Sequence, residues 1–184
     1  AAHPENEHER QHGRRNTSEC LHVERVARSL AHGPFFRESS GYSTMTNAMI
    51  LCAGLGTRLR PLTNEIPKPL VWIGDRPALT HVAERLVRGG VDRLVINTHH
   101  LAAKFDEALV ESLPLPVRIV HEPTIRGTAG GVAGATDALG PGEVIVWNGD
   151  ILADVDIAAL RNSYVDEVSR GAIATLVVLP RHRE

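Results

Sequence analysis

The sequence predicts an α/β fold with a mostly parallel sheet covered by helices on both faces. Three observations lead there. From residue 47 onward, short apolar runs alternate with stretches of helical periodicity, and a glycine-rich segment follows the first apolar run directly. With 184 residues, 42% hydrophobic and 23% charged, the chain is long enough for one domain with a sizeable core.

Residues 1–44 are of a different character, rich in His, Glu, Arg and Ser, with only Leu21, Val26 and Leu30 at helical spacing. Such a segment cannot bury enough apolar area to offset its ordering entropy. It is expected to be a disordered extension, and 45–184 the folded domain, with a natural start at Met45 or Met49. The irregular spacing of His3, His8, His12, His22 and His32 reads as a solvated tail rather than a metal tract.

AMILCA, residues 48–53, is the first buried strand, apolar throughout and running into glycine. A segment too broken by Gly and Pro for a helix follows. ALTHVAERLVRGG then places Leu79, Val82, Ala83, Leu86 and Val87 on one face, with Pro77 before and Gly89 after, so it reads as an amphipathic helix. VDRLVIN is the second strand, and Leu101, Phe105, Ala108 and Leu109 form the next helical stripe. VRIVHE is a strand, TAGGVAGATDAL a glycine-rich helix and EVIVWN a strand; Ile157, Leu160, Tyr164 and Val168 form a last helix face, and AIATLVVL, residues 172–179, closes as a fifth strand. The alternation is that of a Rossmann-like sheet.

In such sheets ligands bind beyond the carboxyl ends of the strands. The first strand end carries Gly54, Gly56, Thr57 and Arg58. Leu59 replaces the third glycine of a dinucleotide fingerprint, and Lys68 lacks the neighbours of a P-loop lysine. The physics is related nonetheless: glycines let backbone N–H groups approach phosphate, while a hydroxyl and a forked cation stand beside them. Pro67 and Pro69 should hold Lys68 on a stiff, extended arm. Asp150, after Gly149 at the end of EVIVWN, is either a Mg²⁺ ligand or the cap of the next turn.

The net charge of −2 gives no global attraction to nucleic acid or to an anionic membrane, so an anion must be held by local geometry. No apolar run approaches the ~18 residues of a membrane span, no secretory signal is recognisable, and the expected location is cytoplasmic. Cys20 and Cys52 lie in unlike contexts, which argues against a disulfide, and Cys52 reads as core packing. His99 and His100 follow a strand end and should line the site without acting as catalysts.

GLGTRLRPLTNEIPKPL, HEPTIRGTAGGVAGA and WNGD, in that order, resemble the signature segments of the sugar-1-phosphate nucleotidyltransferases, also called NDP-sugar pyrophosphorylases. The resemblance covers about residues 47–180. It implies a nucleotidyltransferase-type α/β fold and transfer of NMP from an NTP to a sugar 1-phosphate, with release of pyrophosphate. By resemblance, Gly54, Gly56 and Thr57 cradle the triphosphate, beside Leu51 and Ala53, and Arg58 neutralises the departing pyrophosphate. Lys68 contacts phosphate near the reacting centre and Asp150 holds Mg²⁺. Gly127 and Thr128 lie against the base, with Gly130 letting the following helix approach. Glu122 either faces base or sugar or accepts backbone hydrogen bonds, and Arg60 is as readily a solvated loop charge as a ligand contact.

Family members also carry a later Glu-Lys-Pro segment and a further metal-binding aspartate, and neither occurs before PRHRE at residues 180–184. The expectation is a nucleotide-binding part without its acceptor-binding part, turning over poorly alone. GTP with mannose 1-phosphate is the leading substrate pair; UTP with N-acetylmuramate 1-phosphate, a cytidylyltransferase for a small phospho-alcohol and a non-catalytic nucleotide-binding regulatory module are the alternatives.

Overall fold

A computed structural model of the chain describes residues 45–178. The extension expected over 1–44, and Cys20 with it, lies outside the described residues. Strand β1 (Asn47–Leu51) is buried along almost its whole length, as is β4 (Arg93–Thr98). Near-continuous apolar runs of this kind mark central parallel strands. Together with β5 (Val117–His121) and β6 (Val144–Asn148) they form a four-stranded parallel sheet in the order β5-β4-β1-β6. The register sets Leu51 opposite Asn97 on one side and Asn148 on the other. A two-residue antiparallel hairpin, β2 (Trp72–Ile73) with β3 (Arg76–Pro77), lies between β1 and the first helix in sequence.

Alternation along β1 divides the core. Ala48, Ile50 and Cys52 face helix α1 (Ala78–Arg88), whose Leu79, Val82, Ala83 and Leu86 pack with Leu94 and Ile96 of β4 and Ile145 and Trp147 of β6. Met49 and Val95 point to the opposite face and meet Ala138 and Leu139 of the short helix α4 (Thr136–Leu139). Helices therefore cover both faces. α1 follows Pro77 and stops at Gly89, as its sequence predicts. A Cβ on Gly89 would lie 2.5 Å from the Cδ1 of Ile157, the first residue of α5 (Ile157–Val168), so the glycine permits a close approach of helix end to helix start.

Two expectations need correction. The stripe at 101–109 is not one helix: a 3₁₀ turn at Ala102–Lys104 precedes α2 (Glu107–Glu111), and Asp106 restarts the helix by accepting a hydrogen bond from the Leu109 backbone N–H at 2.9 Å. Phe105 is still buried, but Ala108 is exposed. Nor is the fifth strand formed among the described residues. Residues 172–178 pair with no described strand, and Leu176, Val177 and Val178 are exposed. Apolar, β-branched composition is not enough when no neighbour satisfies the backbone N–H and C=O groups. The glycine-rich helix is present, split at Ala135 into α3 (Gly127–Gly134) and α4.

By internal contacts the chain divides into two compact units, of which the one ending at Asn162 contains the sheet. No helix among the described residues is long and apolar enough to cross a membrane.

Candidate active site

The chain leaves β1 at Leu51 and turns at once. Gly56 adopts φ 63°, left-handed backbone that favours glycine, and a Cβ there would sit 2.8 Å from the Thr63 Cγ2. Thr63 fixes this turn by donating its hydroxyl to the Gly56 carbonyl at 2.8 Å, and the Thr63 carbonyl accepts from Nε2 of His100 at 2.7 Å. The exposed loop is thus tied down from beneath, with Thr57–Leu59 as a 3₁₀ turn above. The side chain of Arg58, exposed in that turn, makes no hydrogen bond or ion pair among the described residues.

Lys68 does not stand on an extended arm. Lys68–Leu70 is a 3₁₀ turn, closed by Leu70 N–H donating to the Pro67 carbonyl at 2.8 Å. Pro67 and Pro69 act instead as buried anchors on either side of the lysine. The Lys68 ammonium pairs with the Asp150 carboxylate, both side chains about a third exposed. Arg60 is exposed and lies outside the cleft.

Asp150 is brought to this point by Gly149, whose N–H donates to the Leu51 carbonyl at 3.0 Å. A Cβ on Gly149 would fall 2.8 Å from the Cys52 Sγ, so only glycine lets the end of β6 pack this tightly on the end of β1. From β1 the chain passes to β4 on one side, whereas β6 lies on the other. The crevice between β1 and β6 is the topological switch point of the sheet. Burial, reinforced by the charge of Asp150, pushes the Cys52 thiol far up, which keeps it a neutral packing group.

The far wall is built from the ends of β4 and β5. Asn97 is buried; its Oδ1 accepts from the Cys52 backbone N–H at 2.8 Å and its Nδ2 donates to the Glu122 Oε1 at 2.7 Å. The second oxygen of Glu122 accepts from the Arg126 backbone N–H at 3.2 Å. Of the two roles open for Glu122, the side chain here fills the hydrogen-bonding one, with Asn97 as an additional partner. His99 donates from Nδ1 to the Glu122 carbonyl at 2.7 Å, so each of the two histidines ties one ring nitrogen to a backbone carbonyl of a neighbouring loop. The close approach assigned to Gly130 occurs one residue later. A Cβ on Gly131 would come within 2.9 Å of both Asn97 Nδ2 and Glu122 Oε1, whereas Gly130 makes room for the Arg126 side chain.

These loops enclose an open cleft of about 360 Å³. Leu51, Ala53, Gly54, Gly56, Thr57, Arg58, Lys68, Glu122, Gly127, Thr128 and Asp150 all line it. So do residues that sequence reasoning passed over, chiefly Leu55, Asn97, Ile125 and Asn148. A signal for Asn97 existed: period-two alternation places it on the same face as buried Val95, where an amide needs partners. No group of three or more His, Cys, Asp or Glu among the described residues could hold a metal ion. A single carboxylate, Asp150, suits Mg²⁺ where phosphates and water complete the shell.

Fold and cleft together define a parallel α/β protein with a glycine-loop site at the switch point of its sheet. Residues 47–184 match the nucleotidyl transferase family model, and the chain belongs to that family. It is similar to N-acetylmuramate alpha-1-phosphate uridylyltransferase of Neisseria meningitidis, 40% identical over 115 residues, 61% of this chain and 50% of that protein. Mannose-1-phosphate guanylyltransferase of Mycobacterium tuberculosis is 35% identical over 116 residues, 62% of this chain and 32% of that protein. The chain thus spans half or less of the length of these relatives. Among solved structures, HddC from Yersinia pseudotuberculosis complexed with GMP-PN superposes with a TM-score of 0.60 at 31% identity, covering 66% of this chain and 55% of that one.

Proposed function

We propose that the chain carries the nucleotide-binding half of a sugar-1-phosphate nucleotidyltransferase site. An oxygen of the sugar 1-phosphate attacks the α-phosphorus of an NTP, the bond from that phosphorus to the α,β-bridging oxygen breaks, and pyrophosphate leaves in line, carrying the electron pair of that bond on its oxygen. Positioning and charge neutralisation supply most of the rate in such a reaction, and no protein nucleophile is required. The observation that carries the reading is the convergence of the glycine loop, Arg58, Lys68, Asp150 and the Gly127–Thr128 turn on one cleft.

The roles proposed are those the resemblance implies, and the shared cleft supports them. Gly54, Gly56 and Thr57 offer backbone N–H groups and a hydroxyl to the triphosphate. Arg58, with no hydrogen-bond or ion-pair partner among the described residues, has its donor fork available to the leaving pyrophosphate. Lys68 and Asp150, paired in the protein, separate in function: the lysine turns to phosphate and the carboxylate takes Mg²⁺. The metal, when bound, neutralises phosphate charge. Leu51, Ala53, Gly127 and Thr128 lie on the base side. GTP with mannose 1-phosphate is the leading pair, supported by the guanylyltransferase relative and the GMP-PN complex. UTP with N-acetylmuramate 1-phosphate is the second reading, favoured by the 40% identity to the Neisseria enzyme.

A thermal-shift panel of GTP, UTP, CTP, ATP and dTTP with Mg²⁺ tests the reading. One nucleotide is expected to raise the melting temperature above the rest, as preferential binding to the native state requires. A flat response to all five would overturn it.

A further inference from the structure

We propose that the buried pair Asn97–Glu122 is a positioning device that sets the spacing of the two loops between which the nucleotide sits. The inference rests on the nucleotide-binding reading above and adds to it residues that make no claim to touch the substrate.

Cys52 is the first residue beyond β1, and its N–H is held by Asn97 Oδ1. Arg126 immediately precedes Gly127 and Thr128, and its N–H is held by Glu122 Oε2. The amide of Asn97 and the carboxylate of Glu122 join these two points through one bond of 2.7 Å. No hydrogen bond among the described residues runs directly between residues 52–59 and 122–130, so this bridge is the polar connection across the cleft. Both side chains are only 3% exposed. The backbone supports them, since Glu122 N–H donates to the Thr98 carbonyl at 2.8 Å and Gly131 closes over the pair.

The chemistry of the bridge is directional. Asn97 must accept on one side and donate on the other, which an amide does and neither a carboxylate nor an aliphatic group can. Glu122 must accept twice, which a carboxylate does and an amide cannot. Buried polar networks of this kind are stiff when complete and expensive when one member is left unpaired. A nucleotide contacting both loops would then bind to a spacing already fixed, which reduces the ordering left to be done on binding.

The directionality supplies the test. Asn97→Asp sets two carboxylates face to face, and Glu122→Gln turns an NH₂ towards a donor. In the double variant N97D/E122Q the pattern is restored with its polarity reversed: the new aspartate accepts from the Cys52 N–H and from the glutamine NH₂, while the glutamine oxygen accepts from the Arg126 N–H. Net charge is the same as in the parent chain. Each single variant is expected to bind the preferred NTP about tenfold or more weakly and to melt lower, and the double variant to recover most of both losses. Should the singles not fold, a folded double variant that binds NTP supports the device by itself.

Two results would overturn it. Singles that melt lower yet bind NTP like the parent chain would make the pair a stability element only. A double variant that recovers its melting temperature but not its affinity would mean that the charge of Glu122 meets the nucleotide directly. If the parent chain binds no NTP, the functional reading fails first, and the melting temperatures of the four ligand-free proteins still decide whether the pair couples the loops.

Discussion

Arg58 is exposed at the mouth of the cleft with no hydrogen bond or ion pair among the described residues, so replacing it removes none of those. Arg58→Ala should therefore leave the melting temperature of the free chain within a degree or so while weakening NTP binding by about 1.5–3 kcal/mol, the worth of a charge-assisted bond; titration calorimetry separates the two. Gly56 is the converse case. Its φ of 63° and the Thr63 methyl 2.8 Å from any Cβ predict that Gly56→Ala lowers stability by about 1–2 kcal/mol from backbone strain, before contact is added, read as a lower urea midpoint. At this scale the glycines and the cations of the loop were legible because each is an unusual residue choice for a chain leaving its core. Asn97 was not. It ends an apolar run, where a polar residue looks like mere termination; alternation marks it as facing inward with Val95, but its two partners lie 45 and 25 residues away in sequence and leave no local trace.

Among the elements, α1 was the most legible, because its start, its stop and its apolar stripe agree. Leu86 is fully buried in the larger core cluster, and Leu86→Ala should cost about 2–5 kcal/mol, measurable by denaturant unfolding. The stripe at 101–109 misled because periodicity registers which residues face inward and is blind to a break: Leu101 adopts φ 52° and Asp106 caps a new start. Segment 172–178 misled for a different reason. Its composition suits a strand, but strand formation is decided by an available edge, and an edge is a property of the rest of the sheet. The four parallel strands, by contrast, were recoverable because their apolar runs are short and separated by turns, and those of β4, β5 and β6 are rich in β-branched residues.

For the molecule as a whole, a net charge of −2 means that polyanion binding has to come from the cleft. Within the cleft, Lys68 and Asp150 already neutralise each other, so Mg²⁺ alone should leave the melting temperature unchanged, whereas Mg²⁺ with the preferred NTP should raise it. Asp150→Asn is expected to abolish the increment that Mg²⁺ adds to the nucleotide shift; an undiminished metal titration would remove Asp150 from the site. The cleft was readable in outline because strand ends of a parallel sheet converge by topology, and its wall from β4 and β5 was not, since hydrogen-bond partners between loops leave no periodic trace. The placement of the two tryptophans has a practical consequence. Trp147, 9% exposed, anchors the turn that carries Asp150 through its indole N–H to the Ile151 carbonyl at 2.8 Å, whereas Trp72 is 65% exposed on the hairpin. The emission of the chain is therefore expected as a blue-shifted component from Trp147 in the core, beside the turn that carries Asp150, over a red-shifted, water-exposed background from Trp72, and a change in the first on adding nucleotide would report movement of that turn.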